Sequence, residues 1–233
     1  MERTTYSKSR IDTYKKCKKQ YKLKYLDHIR LPQPQSDDLE FGQWIHKVLE
    51  YYDLDKDNLK DVVRYHRDFD IRGKDYINAI PQTFKNAVAF TKLYWKYKRK
   101  TEEKVNYEDD ELAINGIIDL RMEQKDNLIV VDYKSSRSPN AARHEYQMKM
   151  YCLMISKIYN MPAEKIRVMV YYPRIDKYDR YQFSSGEMKL FEAELKRDIA
   201  EIETTKEHVA DPGYHCRWCT FLGTKYCTKG MKP

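Results

Sequence analysis

Glycine and proline are scarce in this sequence, at 7 and 8 of 233 residues. That is too little for a long flexible linker or a proline-rich spacer, and no internal repeat is visible. No apolar run approaches the 18 or more residues that a membrane span requires. The opening Met1-Glu2-Arg3-Thr4-Thr5-Tyr6 lacks the apolar core of a secretory signal. These absences predict a cytoplasmic protein without membrane association. In that compartment the five cysteines are expected as metal ligands or buried thiols, not disulfides.

What is present is length and positive charge. A chain of 233 residues can bury a substantial core, as one large domain or one domain with an insertion. Lys and Arg number 44 against 36 Asp and Glu, a net charge of +8. This favours a polyanionic partner such as nucleic acid, although charge alone does not select one.

The most informative stretch is Asn115–Lys134. It reads as two strands joined by a tight polar turn at Gln124–Asn127. Leu128-Ile129-Val130-Val131 is a continuous apolar run, the pattern of a strand buried on both faces. It ends in Asp132-Tyr133-Lys134, and charges at the end of a buried strand are costly unless paired or bound to metal. Side chains alternate along a strand, so Asp132 and Lys134 share a face and Tyr133 takes the other. Across an even-numbered turn Asp119 falls on that same face, opposite Asp132 or Lys134. Two carboxylates about 4.5–5.5 Å apart at their Cβ atoms repel, and a divalent cation between them removes the repulsion. Asp119, Asp132 and Lys134 therefore read as a metal site with a cation beside it. A surface hairpin with scattered charges is the plainer alternative.

Around this hairpin the periodicity predicts helices over 9–25, 40–52, 58–70, 77–100, 141–159 and 186–208. The first is expected to be capped by Ser9 with Asp12 as its partner, and places Ile11, Tyr14, Cys17, Tyr21 and Tyr25 on one face. Lys15, Lys18, Lys19 and Lys22 lie toward another, either an ordinary solvated face or one that follows phosphates. Residues 31–38 hold Pro32 and Pro34 and read as a loop. His46 lies on the helix face of Gly42, Ile45 and Leu49. Tyr94, Trp95 and Tyr97, among basic residues, read as core or as a base-stacking surface. Residues 108–114 are expected as a strand entering the hairpin. Gln147 and Tyr151 are four apart on one helix face, with Cys152 a buried thiol. Residues 166–172 and 178–183 read as strands, with Ser185 capping the last helix. The order predicts an α/β fold with a mixed central sheet flanked by helices.

The tail carries Cys216-Arg-Trp-Cys219 and then Cys227. A Cys-x-x-Cys with a third cysteine nearby is a strong metal signal, and Cys17 is the obvious fourth ligand. Zinc and an iron–sulfur cluster both suit four thiolates, and the spacing does not separate them. Either would clip the first helix to the tail, making metal binding part of the folding free energy.

Taken together the parts resemble the RecB-like branch of the PD-(D/E)xK nucleases. The similarity is greatest to the CRISPR-associated iron–sulfur exonucleases (the fourth of the numbered Cas proteins) and to AddB-type nuclease domains. The resemblance rests on Ser7-x-Ser9 with Tyr14-x-x-Cys17, on Gly42-x-x-x-His46-x-x-Leu49-Glu50, and on Gly116-Ile-Ile-Asp119. Asp132-Tyr133-Lys134, Gln147-x-x-x-Tyr151 and the three tail cysteines complete it. Ile118 replaces the proline of the superfamily's name. Seven residues separate Cys219 from Cys227 where five are usual, and Lys18 and Thr220 stand where a proline often follows a cysteine.

The resemblance implies a restriction-endonuclease-like fold spanning 1–233. It would have a helical insertion or layer over 50–105, a nuclease core over 108–208, and a clip formed by Cys17 with 216–227. It implies Mg²⁺ or Mn²⁺ held by His46, Asp119, Asp132 and the carbonyl of Tyr133, with Lys134, Gln147 and Tyr151 positioning water or phosphate. It further implies one [4Fe–4S] cluster on Cys17, Cys216, Cys219 and Cys227, zinc being the alternative. The expected activity is exonucleolytic hydrolysis of single-stranded DNA or DNA ends, in CRISPR adaptation, recombination or phage DNA processing. A helicase or CRISPR integration proteins are the implied partners. A non-cleaving DNA-end-binding subunit of such a complex is the alternative, and the intact Asp119, Asp132 and Lys134 argue against it.

Overall fold

A computed structural model describes residues 3–32, 35–61 and 65–228. In chain order the elements are β1 (Tyr6–Ser7), α1 (Lys8–Lys16), α2 (Lys18–Tyr21), α3 (Asp37–Tyr51), α4 (Lys74–Tyr94), β2 (Lys98–Glu108), β3 (Ala113–Gln124), β4 (Asn127–Tyr133), α5 (Ala141–Tyr159), β5 (Ile166–Tyr172), β6 (Lys177–Gln182) and α6 (Ser185–Thr204). They form two compact units, each gathered from separated stretches. One comprises Met1–Pro34, Tyr107–Asn115 and Leu190–Pro233; the other comprises Gln35–Asn106 and Gly116–Lys189.

The second unit contains a mixed sheet. β2 pairs with β3, β3 with β4 antiparallel, β4 with β5 parallel, and β5 with β6 antiparallel. The β3–β4 hairpin closes at Gln124↔Asn127 through Lys125, at φ 52°. Leu128 through Tyr133 are all buried, as the apolar run predicts, and each fully buried aliphatic side chain there contributes roughly 1.5–3 kcal/mol. Alternation sorts the faces. Leu120, Met122, Ile129, Val131, Tyr133 and Tyr171 share one core with Phe41, Trp44, Val48, Phe84 and Phe90 of α3 and α4. The opposite face, with Asp132, receives α5, whose Gln147 reaches Asp132. Helices thus flank a central mixed sheet.

The first unit pairs β1 in parallel with the start of β3 at Tyr6↔Ile114 and Ser7↔Asn115. Tyr14 of α1 bonds the Glu201 carboxylate of α6 at 3.0 Å, and Lys15 pairs with Asp198 at 2.6 Å.

Several local expectations are corrected, among them the strand expected over 108–114, where β2 ends at Glu108 and β3 begins only at Ala113. The helix expected over 9–25 breaks at Cys17, which lies in extended geometry (φ −162°, ψ 111°) between α1 and α2. Its cap is Ser7, not Ser9, and Asp12 pairs with Lys8 at 2.5 Å. At the last helix the capping exchange runs between Ser184 and Glu187, one residue before Ser185. Most consequential is the helix expected to reach residue 100 as part of a helical layer over 50–105. It ends at Tyr94, and β2 starts at Lys98 and runs through the stretch expected as helix and loop. Of the helix expected over 58–70, residues 62–64 lie outside the described set. Leu59–Asp61 form a short 3₁₀ turn.

Candidate active site

Four elements deliver the acidic centre, all within the second unit. α3 turns Phe41, Trp44, Ile45 and Val48 into the core, which leaves His46 beside the buried stripe. Its ring packs edge-on against Tyr133, with centroids 5.6 Å apart. His46 Nδ1 lies 3.5 Å from Glu102 Oε1 and 3.6 Å from Asp119 Oδ1. Ligand atoms of His46, Glu102 and Asp119 all fall within 4.8 Å of one another, an arrangement able to hold a metal ion.

Glu102 is a residue the sequence reading missed. It lies on β2 at φ 47°, a left-handed conformation that is uncommon for a residue with a Cβ and that collects at functional positions. A polar strand gives no periodic signal for it. The only available hint was a Glu-Glu pair between basic residues.

Asp119 and Asp132 are two of the four buried polar or charged residues of the described chain. The hairpin register, extended one step beyond Leu120↔Val131, sets them opposite each other, as the alternation argument expects. Asp119 Oδ2 accepts the Tyr133 N–H at 2.6 Å. Asp132 Oδ1 accepts from Gln147 Nε2 at 2.8 Å. Asp132 Oδ2 is approached by Lys134 Nζ at 2.5 Å, yet off the direction of a hydrogen bond, so this buried oxygen has no hydrogen-bond partner. A buried carboxylate oxygen held by charge alone, next to a second buried carboxylate, suits a cation. The structure thus joins His46 and Asp119 with Glu102 and sets Asp132 with Lys134 beside them. Sequence reasoning had grouped His46 and Asp119 with Asp132 and the Tyr133 carbonyl.

Gln147 and Tyr151 have a different first use from the one expected. Gln147 Nε2 also donates to Tyr151 Oη at 2.9 Å, and the Tyr151 hydroxyl donates to the Ile117 carbonyl at 2.7 Å. Through these bonds they brace Asp132 against β3. Burial raises the Tyr151 phenol well above its ordinary range, with Asp132 and Asp119 adding to the shift, so it stays a neutral donor. The brace needs α5 close to β3, which Gly116 permits: a Cβ there would lie 3.1 Å from both Met154 Cε and Tyr151 Cε1. Gly116→Ala is therefore expected to lower stability by about 1–3 kcal/mol and to slow the reaction by displacing the brace. Thermal unfolding and cleavage rates check both; wild-type values would show that Tyr151 has room to spare.

Electrostatics reflect the crowding of like charges. Burial pushes the Asp119 carboxyl up to about 7, the Asp132 charge adds to this, and His46, the Tyr133 N–H and Lys134 oppose it. For His46 burial opposes the charged form, but the Glu102 hydrogen bond and the Asp119, Glu102 and Asp132 charges outweigh it, raising the imidazole. Because Asp119 is raised, the folded metal-free protein holds a proton that the unfolded chain, titrating near 3.8, has lost. Stability from that proton is full below the unfolded value. It is lost as pH rises from about 4 to about 7, at no more than about 1.4 kcal/mol per pH unit. EDTA-treated wild type should therefore lose melting temperature relative to Asp119→Asn over this range, and Mn²⁺ should restore most of it near neutrality. Parallel melting curves for the two proteins across the range would contradict the assignment.

The cysteines Cys17, Cys216, Cys219 and Cys227 all belong to the first unit, are all unbridged, and line one tight cavity of about 20 Å³. The helix break turns Cys17 toward it. Gly213 N–H reaches Cys216 Sγ at 3.4 Å. Burial raises the Cys219 thiol, the Phe221 and Leu222 N–H groups oppose this, and Cys17 and Cys227 add to it. Cys152 is fully buried in α5 and pushed up to about 12 by burial and then Glu164, a structural thiol.

A histidine and two carboxylates around one point, beside a carboxylate–lysine pair at the end of a buried strand, define a hydrolase site suited to a divalent cation. The sequence matches the PD-(D/E)XK nuclease superfamily over residues 5–224. The chain belongs to that superfamily, and its sheet with flanking helices is the restriction-endonuclease-like fold. Among solved structures, a candidate exonuclease from Eubacterium rectale superposes with a TM-score of 0.58 at 10% identity, over 85% of this chain and 80% of that one. The protein SSO0001 aligns over 81% of this chain and 94% of its own at 17% identity, with a TM-score of 0.41. No curated protein matches the sequence significantly.

Proposed function

We propose that this nuclease is a Mg²⁺- or Mn²⁺-dependent deoxyribonuclease that hydrolyses phosphodiesters from DNA ends, with single-stranded DNA or exposed ends as substrate. The observation that carries the reading is the convergence of His46, Glu102 and Asp119 next to the buried Asp132 carboxylate and its Lys134 partner. Oxygen-rich donors suit hard divalent cations, and the imidazole moves the preference toward Mn²⁺. His46, Glu102 and Asp119 would hold the ion, with Asp132 and the Tyr133 carbonyl as further donors. When bound, such an ion polarises the phosphate and acidifies a water. Lys134, its side chain part-exposed beside Asp132, would orient the attacking water and offset charge growing on the phosphate. Gln147 fixes Asp132, and Tyr151 fixes Gln147.

A cavity of about 550 Å³ lined by Gln43, His46, Lys47, Tyr51 and Glu102 opens beside the site and offers a route for the strand. For the four cysteines the proposal is one [4Fe–4S] cluster with a structural role. All four line one cavity of the first unit, where backbone N–H groups of Gly213, Phe221 and Leu222 are directed at Cys216 and Cys219. The likeness to CRISPR-associated and AddB-type enzymes makes a helicase or integration proteins the proposed partners, and the cytoplasm the proposed location. Among the described residues no helix is long and apolar enough to cross a membrane.

The deciding experiment incubates purified protein with end-labelled single- and double-stranded DNA in Mn²⁺, Mg²⁺ or EDTA. Stepwise shortening that requires metal is expected. Tight DNA binding without cleavage in either metal would favour the end-binding subunit instead.

A further inference from the structure

β4 ends at Tyr133, and the chain leaves it through Lys134. Ser135, Ser136 and Arg137 follow at once, and with Arg143 and Arg174 they wall a second cavity of about 520 Å³. We propose that this pocket seats a phosphate group of the bound strand, on the order of one to three nucleotides from the bond that is cut.

Two guanidiniums converge on one backbone oxygen. Arg174 Nη2 and Arg137 Nη2 donate to the Asp75 carbonyl at 3.3 and 3.4 Å. Like charges are drawn together there with little to balance them. The Asp75 carboxylate stands 4.0 Å from Arg137, and its side chain is 82% exposed. Asp38, the other carboxylate on the wall, takes the Tyr76 hydroxyl. Arg143 has no ion-pair partner among the described residues. Arg174 is fixed between two rings, with its guanidinium carbon 5.0 Å from the Phe41 centroid and 4.6 Å from that of Tyr76. Its Nε is shut from solvent and has no hydrogen-bond partner. A rigid planar fork with an unspent N–H, near two further arginines and two serine hydroxyls, matches the oxygens of a phosphate better than any compact cation would.

The distance along the chain gives the register. Arg137 lies three steps along the chain from Lys134, and an extended backbone covers at most about 3.6 Å per residue, or roughly 11 Å. A strand advancing about 3.4 Å per nucleotide in duplex geometry places the seated phosphate near, not at, the scissile one. The inference rests on the nuclease reading for the identity of the strand. The group is either an internal diester or a terminal monoester, and the two differ in consequence: only a terminal-phosphate seat would make the enzyme count from an end.

The test measures fluorescence anisotropy in EDTA, where nothing is cut, so binding is scored independently of cleavage. Wild type, Arg137→Ala/Arg143→Ala and Arg174→Lys are compared on four DNAs: a linear strand with 5′-phosphate, the same with 5′-hydroxyl, the same with 3′-phosphate, and a circular strand. Arg174→Lys keeps the charge and removes the fork, and melting temperatures verify folding. The expected result is at least tenfold weaker binding for the double variant, with the log–log salt slope reduced by about one to two. A matching rise in KM with kcat little changed should accompany it. If the loss is confined to one phosphorylated end, the seat is terminal; if it is uniform, including the circle, the seat is internal. Wild-type affinity and salt slope in both folded variants would overturn the pocket, even with cleavage intact. Lost affinity in a protein that cuts nothing would keep the pocket and retire the nuclease reading.

Discussion

Asp132→Ala is expected to cut DNA hydrolysis by about 10³-fold or more while leaving the fold and metal-free DNA binding in place. The magnitude follows from what the carboxylate does. Loss of one preorganised electrostatic group at a reacting centre costs about 10²–10³, and here the same substitution also releases Lys134 and removes one of the two acceptors of Gln147. Asp132→Asn separates these contributions. It retains an oxygen for Gln147 but offers no charge, so it should be nearly as inactive while melting closer to wild type. Asp119→Ala and Lys134→Ala should fall in the same range. His46→Ala and Glu102→Ala should reduce activity less or change the preference between Mn²⁺ and Mg²⁺, because each is one of several donors around the point. The measurement is a single-turnover assay on end-labelled DNA, with near-ultraviolet circular dichroism confirming packing. Robust cleavage by Asp132→Ala, with contaminating nuclease excluded, would sink the mechanism.

Cys17→Ser should bleach the protein and lower its melting temperature by on the order of 10 °C. Anaerobically prepared wild type is expected to be brown, with about four irons per chain, as a four-thiolate cubane requires. Cys17 is joined to the other three ligands only through a loop of roughly 200 residues, so its bond to the cluster closes the longest loop available in the chain. Losing a few kcal/mol of such linkage corresponds to roughly 2–4 °C per kcal/mol in a domain of this size. Cys152→Ser is the control: Cys152 lies within α5 and does not line the cavity of the four, so its substitution should keep the colour. A colourless wild type with one stoichiometric zinc would replace the cluster by zinc and leave the nuclease assignment standing.

Legibility differed from element to element for physical reasons. α5 and β5 have the bounds read from sequence because Asn140 caps one and a dense β-branched and aromatic run makes the other. Asp119, Asp132 and Lys134 were legible because charge at the end of a buried strand violates the pattern around it. β2 was not. Among Lys98–Glu108 only Val105 is buried, so neither alternation nor an apolar run marks a strand, and the helical pattern before it reads straight through. Glu102 was lost with it, since a left-handed residue on a polar strand has no composition signal. The break at Cys17 was masked by Tyr14 and Tyr21, whose spacing fits an unbroken helix. Gln147 and Tyr151 were found by spacing, but their bonds to Asp132 and to the Ile117 carbonyl join residues far apart in the chain, which spacing does not reach.

The interleaving of the two units sets a schedule for biosynthesis. The catalytic unit has all its residues once Lys189 has been made, whereas the cysteine-bearing unit must wait for Cys227. At about 5–20 residues per second, that gap lasts roughly 2–8 seconds. During it a nuclease centre able to close around metal coexists with a lone Cys17 that has no fellow ligands. Any metal that the four cysteines take up together can therefore be held only late in synthesis, after the residues of the other unit are complete.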